Sequence, residues 1–140
     1  MSRFVVDASV AVKWLVPEIH AEAAGRVLHS RHELLAPDLI WAEVGNILWK
    51  KFRRGELVGE VARALLQDFR SAPLQIAASQ PLTPAAWSIA ERYDRSFYDS
   101  LYLALAARAE CPLVTADLKL YNRLKAGPFS GRLVWVENTP

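Results

Sequence analysis

Four acidic residues of this chain stand beside apolar segments, and together they could bind a metal ion. They are Asp7, Glu43, Asp99 and Asp117, called the four acids below. Carboxylate oxygens are the ligands that Mg²⁺ and Mn²⁺ prefer, and such ions can activate a water and neutralise a phosphodiester during an in-line displacement. Because most proteins contain four scattered acids, residue type alone does not decide for a metal site.

Asp7 and Asp117 occupy matching places, each just beyond a short apolar run that predicts a buried strand. The runs are residues 4–6 and 113–115. In an open parallel sheet, ligands bind outside the carboxyl ends of the strands, so we expect both side chains in one crevice. The alternative is that each aspartate only caps the helix that follows it.

Glu43 lies on a predicted helix, on or beside the apolar stripe that includes Ile40 and Ile47. A buried, unpaired charge costs several kcal/mol, so a glutamate at this place needs a partner. The partner is a metal ion in one interpretation and a nearby lysine or arginine in another, and simple exposure is a third.

Asp99 follows Ser96 by three positions, and this spacing is typical of a capping box at the start of a helix. On its own the capping interpretation is favoured. The residues that follow, 101–107, are all apolar and predict a buried helix whose acidic N-terminal end opens toward the strand ends.

Apolar and turn patterns predict short strands that alternate with helices. We predict strands at residues 4–7, 34–36, 74–77, 113–115 and 133–136. We predict a short first helix capped by Ser9, and further helices at residues 20–31, 37–54, 58–69, 84–93, 96–109 and 118–125, with Gly55 ending the third. This alternation favours a parallel sheet covered by helices on both faces.

The composition is that of a folded protein: 52% of the 140 residues are hydrophobic and 23% are charged. We expect one domain over residues 1–140. The longest apolar run is far shorter than the ~20 residues that cross a bilayer, and no segment has the pattern of a signal peptide. The single cysteine, Cys111, fits a reducing compartment. These features predict a cytoplasmic protein without a membrane segment.

The formal net charge is +2, but leaving out the four acids leaves 17 basic against 11 acidic residues. A basic body around an acidic pocket would attract a polyanion and still hold cations at its centre. Four of the basic residues cluster at one helix end, where a solvated complement to the helix dipole is the favoured interpretation; they are Lys50, Lys51, Arg53 and Arg54.

The sequences around the four acids resemble the four motifs of PIN-domain nucleases, in particular of VapC-like toxins from bacterial and archaeal toxin–antitoxin pairs. Residues 4–9 (FVVDAS) are similar to the first motif and residues 41–46 (WAEVGN) to the second. Residues 98–106 (YDSLYLALA) resemble the third motif, and residues 113–117 (LVTAD) resemble the fourth. The resemblance covers the whole chain, with the motifs in order.

The resemblance implies a three-layer α/β/α sandwich with a central parallel sheet and Mg²⁺- or Mn²⁺-dependent endoribonuclease activity. It also implies a homodimer and inhibition by a cognate antitoxin. Matched residue by residue, the four acids become the metal-binding and catalytic residues. Thr115, Ser9 and Asn46 would be supporting polar groups, and Arg92 and Arg95 candidate RNA contacts. Where some relatives carry a further acid this chain has Asn122, so the predicted site contains four carboxylates.

Two other function classes compete with a ribonuclease. The first is a non-catalytic nucleic-acid or protein-binding module of the same fold, which the complete set of acids argues against. The second is a phosphatase with an aspartyl nucleophile. That class expects an Asp-x-Asp pair, whereas Asp7 is followed by Ala8 and Ser9.

Overall fold

The computed structural model describes residues 2–140 and has a parallel five-stranded sheet at its centre. The strands are β1 (Arg3–Val6), β2 (Glu33–Pro37), β3 (Leu74–Ala77), β4 (Leu113–Thr115) and β5 (Leu133–Trp135). Their order across the sheet is β3-β2-β1-β4-β5, and each neighbouring pair is parallel. The predicted parallel sheet is confirmed, and each observed strand end lies within one residue of its predicted position.

Helices cover both faces of this sheet. They are α1 (Ala8–Ala11), α2 (Ala21–Leu28), α3 (Leu39–Arg53), α4 (Gly59–Phe69), α5 (Thr83–Tyr93), α6 (Phe97–Ala109) and α7 (Leu118–Leu124). Right-handed crossovers place α1 to α4 against one face and α5 with α6 against the other. The packing agrees, since α1 contacts α2 and α3, α3 contacts α4, and α5 contacts α6. The fold is therefore a three-layer α/β/α sandwich.

The sixth helix forms the centre of one layer because its sequence is apolar on all sides. Every residue from Ser100 to Ala106 is buried, and α6 packs against β1, β2 and β4. Ser100 lies at the start of this buried run, and its hydroxyl donates a hydrogen bond to the Ser96 carbonyl at 2.8 Å. A helix buried along its length holds the residues of its first turn in a fixed place.

One local prediction was wrong, because Ser9 does not cap the first helix. Asp7 is the N-cap residue: its backbone is still extended, and its Oδ1 accepts the Val10 amide at 3.2 Å. Ser9 lies inside α1 and turns its hydroxyl back to Asp7. The prediction for Gly55 is confirmed, since α3 ends at Arg53 and Gly55 adopts the left-handed φ of +79° that favours glycine. No helix within residues 2–140 is both long and apolar enough to cross a bilayer.

Strands β1 and β4 are neighbours at the point where the order of the strands reverses. Val6 is in register with Val114, so Asp7 and Asp117 leave the sheet at the same edge. The C-terminal end of α6 leads into β4, so the N-terminal end of α6, with Asp99, lies at this edge too. Open α/β sheets bind ligands outside such a switch point.

Candidate active site

Asp7 is a buried carboxylate, 7% exposed, whose two oxygens both accept hydrogen bonds. The Ser9 hydroxyl donates to Oδ1 at 2.5 Å, and the Val10 amide donates to the same oxygen. The Thr115 hydroxyl donates to Oδ2 at 2.5 Å. Among residues 2–140 no lysine, arginine or histidine forms an ion pair with Asp7. The carboxylate is thus fixed in orientation but not neutralised.

Ser9 and Thr115 also tie the ends of β1 and β4 together. The Ala116 amide donates to Ser9 Oγ at 2.9 Å, and the Asp117 amide donates to Thr115 Oγ1 at 3.0 Å. Each hydroxyl therefore accepts a hydrogen bond from a backbone amide just beyond β4 and donates one to Asp7 just beyond β1. The structure places these two predicted supporting groups directly on the first of the four acids.

Asp117 caps α7 through a single oxygen. Its Oδ1 accepts the amides of Lys119 and Leu120 at 3.0 and 3.2 Å, and in the described part of the chain its Oδ2 takes part in no hydrogen bond. The predicted capping contacts are therefore present for both Asp7 and Asp117. For Asp117 they leave one carboxylate oxygen available for a ligand.

Glu43 is half-buried on α3 and lies beside Tyr102 of α6. Tyr102 is only 2% exposed, and its hydroxyl has no hydrogen-bond partner among residues 2–140. Burial raises the pKa of the Glu43 carboxyl, and the nearby Tyr102 hydroxyl opposes part of this rise. The two groups do not meet the distance and angle of a hydrogen bond. No ion pair to Glu43 occurs in the same residues, so the structure does not show the lysine or arginine partner of the second interpretation.

Asp99 is paired with Arg95, four residues before it, at 2.9 Å. The Ser96 hydroxyl accepts the Asp99 amide at 3.0 Å, so the first half of the predicted capping box is present. The Asp99 carboxylate turns to Arg95 instead of completing the box. Arg95 keeps its Nε buried without a partner within residues 2–140. Arg92, the other candidate RNA contact, is exposed and lies over the Tyr93 ring.

Burial shifts the pKa values of three groups at this site. It raises the pKa of Asp7 from 3.8 to about 6, although the hydrogen bonds that Asp7 accepts oppose the shift and Asp117 adds to it. Burial also raises the pKa of Glu43, and the charge of Asp99 raises it further. Burial raises the pKa of Tyr102 as well, followed by the charge of Glu43, so the phenol stays a protonated donor. Such shifts mark a place where negative charge lacks a counter-ion.

The four acids form two neighbouring pairs. Asp7 is close enough to Asp117, and Glu43 to Asp99, for each pair to repel. Tyr102 lies near three of them, Glu43, Asp7 and Asp99, and so stands between the pairs. In residues 2–140 the four acids, like the other His, Cys, Asp and Glu side chains, do not form a group of three or more that is close enough together to hold a metal ion.

This arrangement fits a hydrated Mg²⁺ or Mn²⁺ ion. Mg²⁺ keeps several waters and takes few carboxylates, so it needs no closed cage of protein ligands. Of the side-chain polar atoms described, two are buried without a partner, Arg95 Nε and Tyr102 Oη. Both belong to residues beside the acids, where the waters of a bound ion would satisfy them.

The sequence patterns above do not single out Tyr102. A signal was present, because Tyr102 follows Asp99 by three residues and therefore shares its side of the helix. Asn46, predicted as a supporting group, is exposed one turn beyond Glu43 and makes no hydrogen bond to the four acids in the described residues. Its supporting role stays a prediction.

The chain is similar to known proteins over most of its length. A family model described as "PIN domain" matches residues 4–125, a span that contains all four acids. Ribonuclease VapC3 from Pyrobaculum aerophilum is 33% identical over 128 residues, which cover 89% of this chain and 96% of that protein. Ribonuclease VapC1 from Mycobacterium tuberculosis is 34% identical over 132 residues, which cover 91% of this chain and 92% of that one.

A solved structure shows the same architecture. The crystal structure of PAE2754 from Pyrobaculum aerophilum matches with a TM-score of 0.71 at 26% identity. The match covers 97% of this chain and 85% of that chain. Both sequence and structure are therefore similar over nearly the full length.

Proposed function

We propose that this chain, which belongs to the PIN-domain family, is a Mg²⁺- or Mn²⁺-dependent endoribonuclease with the four acids as its metal-binding and catalytic residues. The relatives named ribonuclease VapC support RNA as the substrate. The resemblance of the four motifs to VapC-like toxins supports the toxin of a toxin–antitoxin pair as the biological role. We take residues 1–140 as one nuclease domain.

The observation that carries the proposal is the buried, unneutralised carboxylate of Asp7 at the switch point of the sheet. A buried charge is costly unless a cation or protonation neutralises it. Two hydroxyls and an amide hold this carboxylate in place, while no basic side chain in residues 2–140 pairs with it. The site is therefore organised to receive a cation.

A bound Mg²⁺ or Mn²⁺ supplies positive charge that lowers the pKa of a nearby water and offsets the charge of the phosphodiester. The residues of the chain orient these groups. Ser9 and Thr115 fix the direction of Asp7, and the capping amides of α7 fix Asp117. Tyr102 offers a buried hydroxyl donor beside Glu43.

Arg95 lies at the acids and is the better placed of the two candidate RNA contacts. Its guanidinium already pairs with Asp99, so Asp99 would have a cationic neighbour before a metal binds. With Asp99 among the residues that would hold the metal, the Arg95 guanidinium would bind a phosphate of the substrate. Contacts from Arg92, which is exposed at the end of α5, remain part of the proposal.

The proposed partners are a cognate antitoxin and a second copy of the chain. Exposed apolar side chains on α3 and α4 support a protein partner, because such patches are uncommon on monomers. Trp49 is 57% exposed, and it borders an apolar groove with Phe52 and Leu66. We place the activity in the cytoplasm, where the lone Cys111 would stay reduced.

An assay on two substrates tests the proposed function against the competing classes. With Mg²⁺, we expect the purified protein to open a circular single-stranded RNA and to release no phosphate from p-nitrophenyl phosphate. Opening a circle requires an endonuclease, because an exonuclease needs a free end. Protein prepared in the same way from cells with an empty vector controls for contaminating nuclease.

Each competing class gives a different result in this assay. Release of phosphate from the small ester would indicate a phosphatase. Intact RNA circles together with tight RNA binding would indicate a non-catalytic module. Either result would contradict the proposed function.

A further inference from the structure

A groove runs along α3 past Glu43, one of the four acids, toward the end of that helix. Its volume is about 520 Å³, and it is lined by Tyr98 of α6 and by six residues of α3, which are Leu39, Ala42, Glu43, Asn46, Ile47 and Lys50. The three polar residues among these six, Glu43, Asn46 and Lys50, lie three and four residues apart and therefore share one face of the helix. Lys50 lies about 10 Å beyond Glu43 along the helix axis. The groove thus connects one of the four acids with a lysine.

Tyr98 gives this groove an exposed aromatic surface. It is 58% exposed, although it immediately precedes Asp99 at the start of α6. An aromatic ring at the surface costs free energy unless a partner covers it, and bases of single-stranded nucleic acids stack on such rings. The position beside Asp99 means that a base on Tyr98 would neighbour the reacting phosphodiester.

Of the four basic residues at the end of α3, Lys50 and Arg53 have no acidic partner within residues 2–140, and only Lys50 of these two lines the groove. Lys51 pairs with Glu18 at 2.9 Å and with Glu56 at 3.7 Å, and Arg54 pairs with Glu56. Lys50 is exposed in the groove and has no acidic partner within 4.0 Å among residues 2–140. An unpaired ammonium group on the wall of a groove attracts phosphate.

Asn46 lies between Glu43 and Lys50 on the same face of α3. Its amide carries both donors and an acceptor, and its side chain is exposed in the groove. Base edges and the 2′-hydroxyl of RNA present the complementary groups. Beyond Glu43, α3 thus offers an amide and then an ammonium group, and Tyr98 adds an aromatic ring to the same groove.

We propose that this groove binds a segment of single-stranded RNA next to the cleaved bond, with a base stacked on Tyr98 and a phosphate held by Lys50. Asn46 then contacts the base edge or 2′-hydroxyl between them. The inference rests on the proposed ribonuclease function, because continuity with Glu43 is what favours RNA over a protein as the occupant. It assigns a substrate-binding role to three residues outside the four acids, which are Tyr98, Lys50 and Asn46.

The test measures RNA binding without cleavage. A fluorescent single-stranded RNA of randomised sequence, about 12 nucleotides long, is titrated with protein in EDTA and followed by anisotropy. Tyr98→Ala should weaken binding about tenfold, since stacking on one aromatic ring is worth that much or more, while Tyr98→Phe should bind like wild type. Lys50→Ala should reduce the slope of log Kd against log salt by about 0.7, the value for one lost phosphate contact on a single strand.

Two matched variants serve as controls. Trp87→Ala removes an aromatic that is 64% exposed on α5, and Lys125→Ala removes an exposed lysine after α7. Both should bind RNA like wild type. If both Tyr98→Ala and Lys50→Ala bind RNA like wild type, the proposal is wrong, whether or not these variants lose affinity for a protein partner. Losses of RNA affinity in the control variants that equal those of Tyr98→Ala and Lys50→Ala would also overturn it.

The two proposals fail separately in these experiments. If the acids prove dispensable for cleavage, the proposed active site is wrong, while the assay in EDTA still measures how much the groove residues contribute to RNA affinity. If cleavage requires the acids and metal but RNA affinity does not depend on Tyr98 and Lys50, only the proposed role of the groove is wrong.

Discussion

Asp7→Asn and Asp99→Asn are each expected to lower the rate of RNA cleavage at least about a thousandfold. Charge stabilisation by a bound metal is worth several kcal/mol in the transition state, and each 1.36 kcal/mol is a factor of ten in rate. An amide keeps the volume of the side chain but replaces an ionised oxygen with a nitrogen that does not bind Mg²⁺. Initial rates on a labelled single-stranded RNA measure the effect.

A matched control separates this loss from a general effect of removing a charge. Asp68→Asn removes an exposed aspartate on α4, away from the four acids, and should cleave at the wild-type rate. Circular dichroism checks that the variants are folded. If Asp7→Asn or Asp99→Asn cleaves as fast as wild type, with contaminating nuclease excluded, the catalytic assignment is wrong.

Removal of divalent metal is expected to abolish cleavage by the wild-type protein. Dialysis against EDTA should stop the reaction, and Mg²⁺ or Mn²⁺ in excess should restore it, because the four acids offer only oxygen ligands. Na⁺ and K⁺ at matched ionic strength should not restore it. Cleavage rates before and after metal addition are the measurement.

The same samples contain the control for this experiment. The circular dichroism spectrum should be unchanged in EDTA, so that a loss of activity is not a loss of fold. Full cleavage by exhaustively metal-free protein would contradict a metal-dependent site.

The sheet and its switch point could be predicted from local patterns alone. Short apolar runs ending in Asp7 and Asp117 indicate buried parallel strands whose carboxyl ends share an edge. The burial of α6 also follows from its sequence, because residues 101–107 leave no polar face. In each case the residues that determine the structure lie within one element.

Features that depend on two elements could not be predicted in the same way. Local pattern predicts a capping role for Ser9, and only the resemblance predicts its supporting role, because the hydrogen bond that Ser9 accepts from the Ala116 amide joins residues 107 positions apart. The unpartnered hydroxyl of Tyr102 beside Glu43 exists only once α3 and α6 have docked. By contrast, Arg95 and Asp99 lie four residues apart on one helix, a spacing that by itself predicts an ion pair. Both residues are given other roles in the sequence analysis above.

The central claim is that the four acids bind a divalent cation. Without that cation, the buried charge of Asp7 should lower the free energy of unfolding. Burial raises the pKa of Asp7 from 3.8 to about 6, so the folded state binds a proton more tightly than the unfolded state. The stability of the metal-free protein should therefore fall as pH rises from about 4 to about 6. Above this range the ionised Asp7 destabilises the fold by about 3 kcal/mol at most.

Thermal melts of wild type and Asp7→Asn at pH 7.5, in EDTA and in Mn²⁺, test this claim most directly. The amide removes the buried charge but loses some of the hydrogen bonds from Ser9, Val10 and Thr115. We therefore expect the variant in EDTA to unfold no earlier than wild type, with a gain on the order of 1 kcal/mol. Mn²⁺ should raise the Tm of wild type more than that of the variant, because only binding to the folded state stabilises it. A variant that melts clearly lower in EDTA, with both proteins responding equally to Mn²⁺, would show that Asp7 is only a helix cap and would contradict the metal site.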